Sequence, residues 1–234
     1  YFIALAENKD ITFSPRFFNN DKLLLQSEFR QKNKKSDHIV DFSQFVSTDE
    51  GSRGHLFYNF RKNYAGKNFD DIEIDIKLEQ VTNDTYLKAY KIESPIINNT
   101  SNLINTISLN LFDQSQTINT NLNIYEDLSK TNSDRYEYVP NFSFSNIIND
   151  NYSLRSNGYY KNYNTNITEK VLINNFDFNS NTKYFNSGLV NSKKLLVKNV
   201  NSNAKNSGKF KNKNTNNLYP SFQTHYTSIS YTNL

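Results

Sequence analysis

The chain has 234 residues, no cysteine, no methionine and no tryptophan, a formal net charge of +4 and a mean hydropathy of −0.76. A disulfide framework or Cys-based metal site is excluded within it, and no run approaches the roughly 18 apolar residues of a spanning helix. The mild positive excess fits an anionic surface and a solvated basic loop equally well, while basic residues scattered among 23 acids speak against a nucleic-acid role.

In chain order, the sequence predicts weakly alternating strands at 10–18, 22–33 and 37–47, then a strand carrying Leu56, Tyr58 and Phe60 on one face. The clearest alternation follows: Ile72-Glu73-Ile74-Asp75-Ile76-Lys77-Leu78-Glu79. As a helix this would spread charge around the whole cylinder; as a strand it gives one aliphatic and one ionic face, and the β-branched isoleucines favour the strand. Ile107, Leu109 and Leu111 alternate with Ser108 and Asn110, and Ile118, Leu122 and Ile124 oppose Asn119, Asn121 and Asn123. Phe142 and Phe144 flank Ser143, and further strands are expected at 152–163, 168–180, 184–200 and 218–231. Tight polar turns fall at 113–115, 148–151 and 179–181, and longer links at 82–101 and 201–217, the second an Asn/Lys/Ser-rich stretch read as a mobile loop.

About a dozen antiparallel strands of this length suit an all-β fold: the wall of a transmembrane β-barrel, an incomplete open sheet in which one face of each strand meets lipid and the other stays polar. Tyr and Phe near strand ends (Phe17, Phe18, Tyr58, Tyr125, Tyr136, Tyr138) fit interfacial girdles. A soluble β-sandwich, such as a surface adhesin module, produces the same alternation, and strand count favours the barrel. The absence of a start methionine and of any leader pattern before Tyr1-Phe2-Ile3 is read as a partial sequence, the whole of residues 1–234 belonging to the N-terminal part of one barrel domain.

Catalysis finds little footing. His38, His55 and His225 are far apart and lack ligand spacing for a metal, and no Gly-x-Ser-x-Gly elbow, P-loop or dinucleotide fingerprint occurs. No catalytic residue, metal site or cofactor is assigned, and the chain is expected not to be an enzyme.

The opening Tyr1-Phe2-Ile3-Ala4-Leu5-Ala6-Glu7-Asn8-Lys9-Asp10-Ile11-Thr12-Phe13-Ser14-Pro15-Arg16 resembles the start of the barrel in the LptD family, the lipopolysaccharide-assembly or organic solvent tolerance proteins. Asn8, Asp10, Thr12 and Pro15 fall in step with it, as do Glu28-Phe29-Arg30, Ser52-Arg53-Gly54-His55-Leu56-Phe57-Tyr58 and Asn83-Asp84-Thr85-Tyr86-Leu87. Glu7 departs from the pattern, standing where the family has proline. The resemblance covers residues 1–90 well and extends to about 145.

What the resemblance implies is a protein of the bacterial cell outer membrane that inserts lipopolysaccharide into the outer leaflet through a lateral opening of the barrel. Its implied partners are lipopolysaccharide, outer-membrane lipid, an LptE-type lipoprotein plug and, through a periplasmic jelly-roll domain outside this sequence, the periplasmic Lpt bridge. Another outer-membrane barrel, a porin or receptor, is the alternative. Tyr1 and the turns at 34–37, 113–115 and 148–151 would be periplasmic, and the links at 82–101, 128–134 and 201–217 extracellular. Ile11, Phe13, Pro15 and Phe17 would form one side of the lateral gate, Pro15 weakening the first strand because proline has no N–H to donate. Gln26, Glu28 and Arg30, with Glu73, Asp75, Lys77 and Glu79, would line the lumen.

Overall fold

The structure, a computed structural model, describes residues 1–18, 22–47, 51–163, 167–209 and 215–228. Fourteen strands form one sheet, all-antiparallel, in which almost every strand lies beside its neighbours in sequence. They are β1 (Phe2–Ala6), β2 (Lys9–Phe18), β3 (Lys22–Lys32), β4 (Ser36–Val46), β5 (Arg53–Tyr64), β6 (Asp71–Val81), β7 (Asn102–Phe112), β8 (Gln116–Asp127), β9 (Tyr136–Asn149), β10 (Tyr152–Tyr163), β11 (Ile167–Asn179), β12 (Lys183–Tyr184), β13 (Leu189–Lys205) and β14 (Thr215–Ser228). The two-residue β12 and the long β14 both pair with β13. The sheet is not closed: no pairing joins its two ends among the described residues.

Register turns the sequence alternation into two continuous faces. Phe42 opposes Leu56, Tyr58 opposes Leu78, Ile76 opposes Ile107, and Ile107 opposes Leu122. One residue along each strand, Gln26 opposes Ser43, Ser43 opposes His55, Phe57 opposes Glu79, and Lys77 opposes Thr106. A slip of one residue in any ladder would exchange the faces, so the aliphatic set pins the register. No second layer of described residues covers the aliphatic face: Leu56, Leu78, Ile107, Leu122 and Phe142 keep between 37% and 51% of their surface.

The aliphatic character fades at the far end of the sheet. In the row that runs from Phe144 across β10 to β13, Ser156, Asn174 and Asn199 occupy the same face. They satisfy one another: the Ser156 hydroxyl donates to Asn174 Oδ1 (2.7 Å), and Asn174 Nδ2 and Asn201 Nδ2 both donate to Asn199 Oδ1 (3.4 and 2.5 Å).

Two expectations need correction. Phe2–Ala6 form a strand of their own, so Pro15 lies in the second strand and not in the first, and Tyr1 sits beside Phe13, halfway along β2. The stretch 201–217 is strand at both of its ends: β13 runs on to Lys205 because its backbone pairs with Ile167–Asn179, and β14 begins at Thr215. Residues 210–214 of that stretch lie outside the described residues.

The core sits at the link 82–101. This link carries a one-turn helix, α1 (Tyr86–Ala89), and folds back onto the face that the sequence marks as polar. There Tyr86, Leu87, Ile92 and Ile96 pack with Leu24, Phe45 and Phe57, and with Leu103 and Leu128 at the ends of β7 and β8. This is the main buried apolar cluster among the described residues.

Candidate functional site: the polar face and the segment folded onto it

The polar face is an ionic wall in which charges are matched locally. Arg30 pairs with Asp10 (2.9 Å) and Glu28 (3.4 Å), Arg61 with Asp75 (2.7 Å), and Lys77 with Glu79 (2.7 Å). Asn110 Nδ2 donates to Glu73 (3.2 Å), and Glu79 accepts from the Ile104 amide (2.7 Å). All seven residues expected to line a polar interior, Gln26, Glu28, Arg30, Glu73, Asp75, Lys77 and Glu79, therefore share this one face. The structure does not gather them into a single cluster. Most serve as partners of the next strand's side chains.

Beneath the folded segment lies a buried polar relay that sequence reasoning missed. The β4–β5 register sets Ser43 opposite His55, with Asp41 two residues along on the same face. Ser43 Oγ lies 2.6 Å from His55 Nδ1, and His55 Nε2 lies 3.2 Å from Asp41 Oδ1. The Tyr86 hydroxyl, delivered by α1, reaches Ser43 Oγ at 2.7 Å. With the imidazole neutral, one orientation satisfies every group: Tyr86 donates to Ser43, Ser43 to Nδ1, and Nε2–H to the Asp41 carboxylate. All four side chains are at least 95% buried. Gln26 Nε2 also donates to both Asp41 oxygens (3.1 and 3.2 Å), and to the Glu93 carbonyl at 2.8 Å.

Aromatic packing surrounds the relay. The His55 ring stacks on Phe57 with centroids 4.2 Å apart, and Tyr90 lies 4.4 Å from Phe45 and 5.0 Å from Tyr86. Burial pushes the Tyr86 phenol above its ordinary value, which keeps it a donor. Arg16 of β2 donates to the Tyr90 carbonyl at 2.7 Å.

Gly54 permits the close approach that builds the relay. A Cβ there would stand 2.3 Å from the Ser43 carbonyl oxygen, a backbone atom held in the ladder. Its amide also donates to Thr82 Oγ1 (2.8 Å), tying the root of the folded segment to β5.

A second fastening is ionic. Arg135, in a 3-10 turn (Ser133–Arg135) between β8 and β9, makes a two-pronged pair with Asp84 (2.7 and 3.0 Å) and holds Glu126 at 2.6 Å. The Arg135 guanidinium holds the Asp84 carboxyl below the usual carboxylate range and is itself pushed further toward the charged form. Beside this pair a cavity of about 460 Å³ opens between the segment and the polar face, lined by Asn98, Asn99, Lys77, Tyr125 and Glu137 among others.

No family model matches the chain. Against curated proteins, 141 of its residues, 60% of the chain, align at 22% identity. The chain is similar to the LPS-assembly protein LptD of Pseudoalteromonas atlantica. It spans 18% of that LptD's length.

Two of the stretches that resemble LptD contribute to the relay and its fastenings. Gly54 and His55 come from one of them; Asp84 and Tyr86 come from another. Asn83 of the latter accepts from the Thr85 amide (3.1 Å) and hydroxyl (2.8 Å), which starts the turn into α1. Asp41, Ser43 and Arg135 lie outside those stretches. Ser43 and Asp41 read as ordinary polar positions of an alternating strand, and only the register with β5 reveals their partner. The signal that could have pointed to the segment is its scatter of apolar residues, Tyr86, Leu87, Ile92 and Ile96, which a solvated loop has no use for.

Ile11, Phe13, Pro15 and Phe17 share the aliphatic face of β2, Phe17 standing 81% exposed. The Phe13 amide donates to the Tyr1 carbonyl at 2.8 Å, so the backbone of residue 13, and that of residue 15 two places on, faces β1 and not β3. The hydrogen-bond donor that Pro15 lacks is thus missing from the outer edge of β2, and the β2–β3 ladder loses nothing.

Proposed function

We propose that this chain is part of the membrane-embedded wall of an outer-membrane lipopolysaccharide-assembly protein of the LptD type, delivering lipopolysaccharide to the outer leaflet through a seam in that wall. One observation carries the reading: a single-layer antiparallel sheet with an uncovered aliphatic face and, on the reverse, a face of matched ion pairs. Water on both sides would leave the aliphatic face without cover, whereas lipid on one side and a polar interior on the other suit both faces. Strand lengths of 10 to 14 residues for β2–β11 are enough to cross a bilayer when tilted, and the distant LptD similarity supplies the substrate.

The seam lies at the β2 edge. Toward the start of β2 that edge is joined to β1, with Ile11 opposite Ile3 and Phe13 bonded to Tyr1. Pro15 faces the same edge, where it cannot offer an N–H to a partner strand. A gate side made of Ile11, Phe13, Pro15 and Phe17 would thus have one hydrogen bond fewer to break on opening.

The relay has the same order of groups as a Ser–His–Asp hydrolase. In our reading it is a fastening: Ser43 is sealed under Tyr86, and the relay lies among ladder amides already engaged with neighbouring strands.

The test is depletion of the full-length protein in its host. Newly made lipopolysaccharide should stop reaching the cell surface while outer-membrane porins continue to assemble. Normal surface delivery after depletion removes the reading. A full-length Pro15→Ala variant addresses the seam: slowed delivery or altered permeability to large antibiotics is expected, and no change in either removes Pro15 from it.

A further inference from the structure

We infer that residues 82–101 are a strap able to leave the polar face as a unit, with the Tyr86–Ser43 hydrogen bond as its latch. The backbone bonds of its helical part are internal. Ala89 and Tyr90 donate to Thr85 and Tyr86, and Ile92 donates to Leu87. Its described attachments to the wall are made by side chains: Ser43 to Tyr86, Arg16 to the Tyr90 carbonyl, Gln26 to the Glu93 carbonyl, and Arg135 to Asp84. Backbone ties to the rest of the sheet occur at the two roots, where Thr82 donates to the Gly54 carbonyl (3.0 Å) and Leu128 donates to the Ser101 carbonyl (2.9 Å). Undocking therefore breaks no strand ladder.

Part of the surface it would uncover suits water. Asp41, Ser43, His55 and Gln26 hydrate readily once the cover leaves, while Leu24, Phe45, Phe57, Leu103 and Leu128 become newly wet on the wall side. Because Arg135 belongs to the neighbouring link, the Asp84 pair couples the strap to that link. The biological meaning, control of access to a polar interior, rests on the wall reading proposed above. The docking itself does not.

The experiment uses the full-length protein in outer membranes, in a background without other cysteines, with a water-soluble maleimide. A reporter at Ile92→Cys, 3% exposed when docked, should label slowly. Adding Tyr86→Phe, Ser43→Ala or Arg135→Lys should raise its rate at least tenfold, while a wall reporter at Val171→Cys stays protected. Unchanged Ile92→Cys labelling in the Tyr86→Phe and Ser43→Ala backgrounds overturns the latch. Parallel opening of Val171→Cys also overturns it, since the network would then hold the sheet and not a separate strap. Rapid labelling at Ile74→Cys on the aliphatic face would sink the membrane reading while leaving the docking result standing.

Discussion

His55 and Ser43 occupy adjacent places in one relay, yet their removal should not cost the same. Truncating His55 leaves the fully buried Asp41 side chain with Gln26 as its remaining side-chain partner among the described residues and orphans the Ser43 hydroxyl as well, and an acid so stripped costs more than the about 1–3 kcal/mol of a neutral group. Truncating Ser43 orphans two neutral groups, the Tyr86 hydroxyl and one imidazole nitrogen, at about 1–3 kcal/mol. His55→Ala is therefore expected to lower the denaturant midpoint of the refolded full chain in detergent further than Ser43→Ala does. Equal effects, or the reverse order, would mean that Asp41 does not depend on this imidazole as its partner. Little of this was readable residue by residue. The parity of Gln26, Glu28 and Arg30 follows from alternation alone, and so does that of Glu73, Asp75, Lys77 and Glu79, because a strand gives side chains no third direction. The meeting of Ser43 with His55 depends on a register that only the β4–β5 ladder fixes, and the meeting with Tyr86 depends on a fold-back that no period encodes.

At the scale of elements, strands that alternate cleanly were legible and those that do not were missed. β6 announces itself through the alternation of Ile72, Ile74, Ile76 and Leu78 with Glu73, Asp75, Lys77 and Glu79. β1 does not, because Phe2, Ile3, Ala4, Leu5 and Ala6 are apolar without a break and all exposed. The last turns of β13 read as a loop because Asn201, Ser202 and Asn203 have loop-like side chains, whereas pairing with β11 is made by backbone, which is indifferent to them. The strap is a third case, a link whose apolar residues find cover on the face expected to be wet. Its ionic fastening has a defined acid limb. Because the folded-state value of Asp84 lies below its ordinary one, the Arg135 pair contributes fully above the unfolded value, near 3.9, and is lost as pH falls through the folded value. Lowering the pH from 7 to about 4.5 should thus leave strap docking unchanged in the parent, read by labelling at Ile92→Cys before reaction and quench at a common pH. Docking should weaken only in stronger acid, and Asp84→Asn should behave at pH 7 as the parent does there. Loss of docking already near pH 6 would assign the acid sensitivity to another group.

For the whole molecule the question is what wets the aliphatic face, and two neighbouring positions decide it. Asn121 and Leu122 are consecutive on β8: the first faces the ionic side and hydrogen-bonds Asn141 (3.2 Å), and the second faces the aliphatic side with 37% of its surface open. In water, lysine at an exposed leucine position is close to neutral, within about 0.5 kcal/mol. Facing hydrocarbon at mid-depth it costs about 2–4 kcal/mol, falling toward zero near the interfaces. Leu122→Lys should therefore impair assembly of the full-length protein, measured as loss of the heat-modifiable folded band on cold electrophoresis, while Asn121→Lys assembles normally. The Ser156–Asn174–Asn199 row sharpens the comparison, for it places polar groups on the same face further along the sheet. Those groups bond one another, which is how backbone and side-chain polarity becomes tolerable next to lipid. A lone ammonium at residue 122 has no such neighbour: Ile107 and Pro140 stand opposite it on the flanking strands. If Leu122→Lys and Asn121→Lys assemble equally well, the aliphatic face is wetted by water or covered by a protein partner, and the wall reading fails with it.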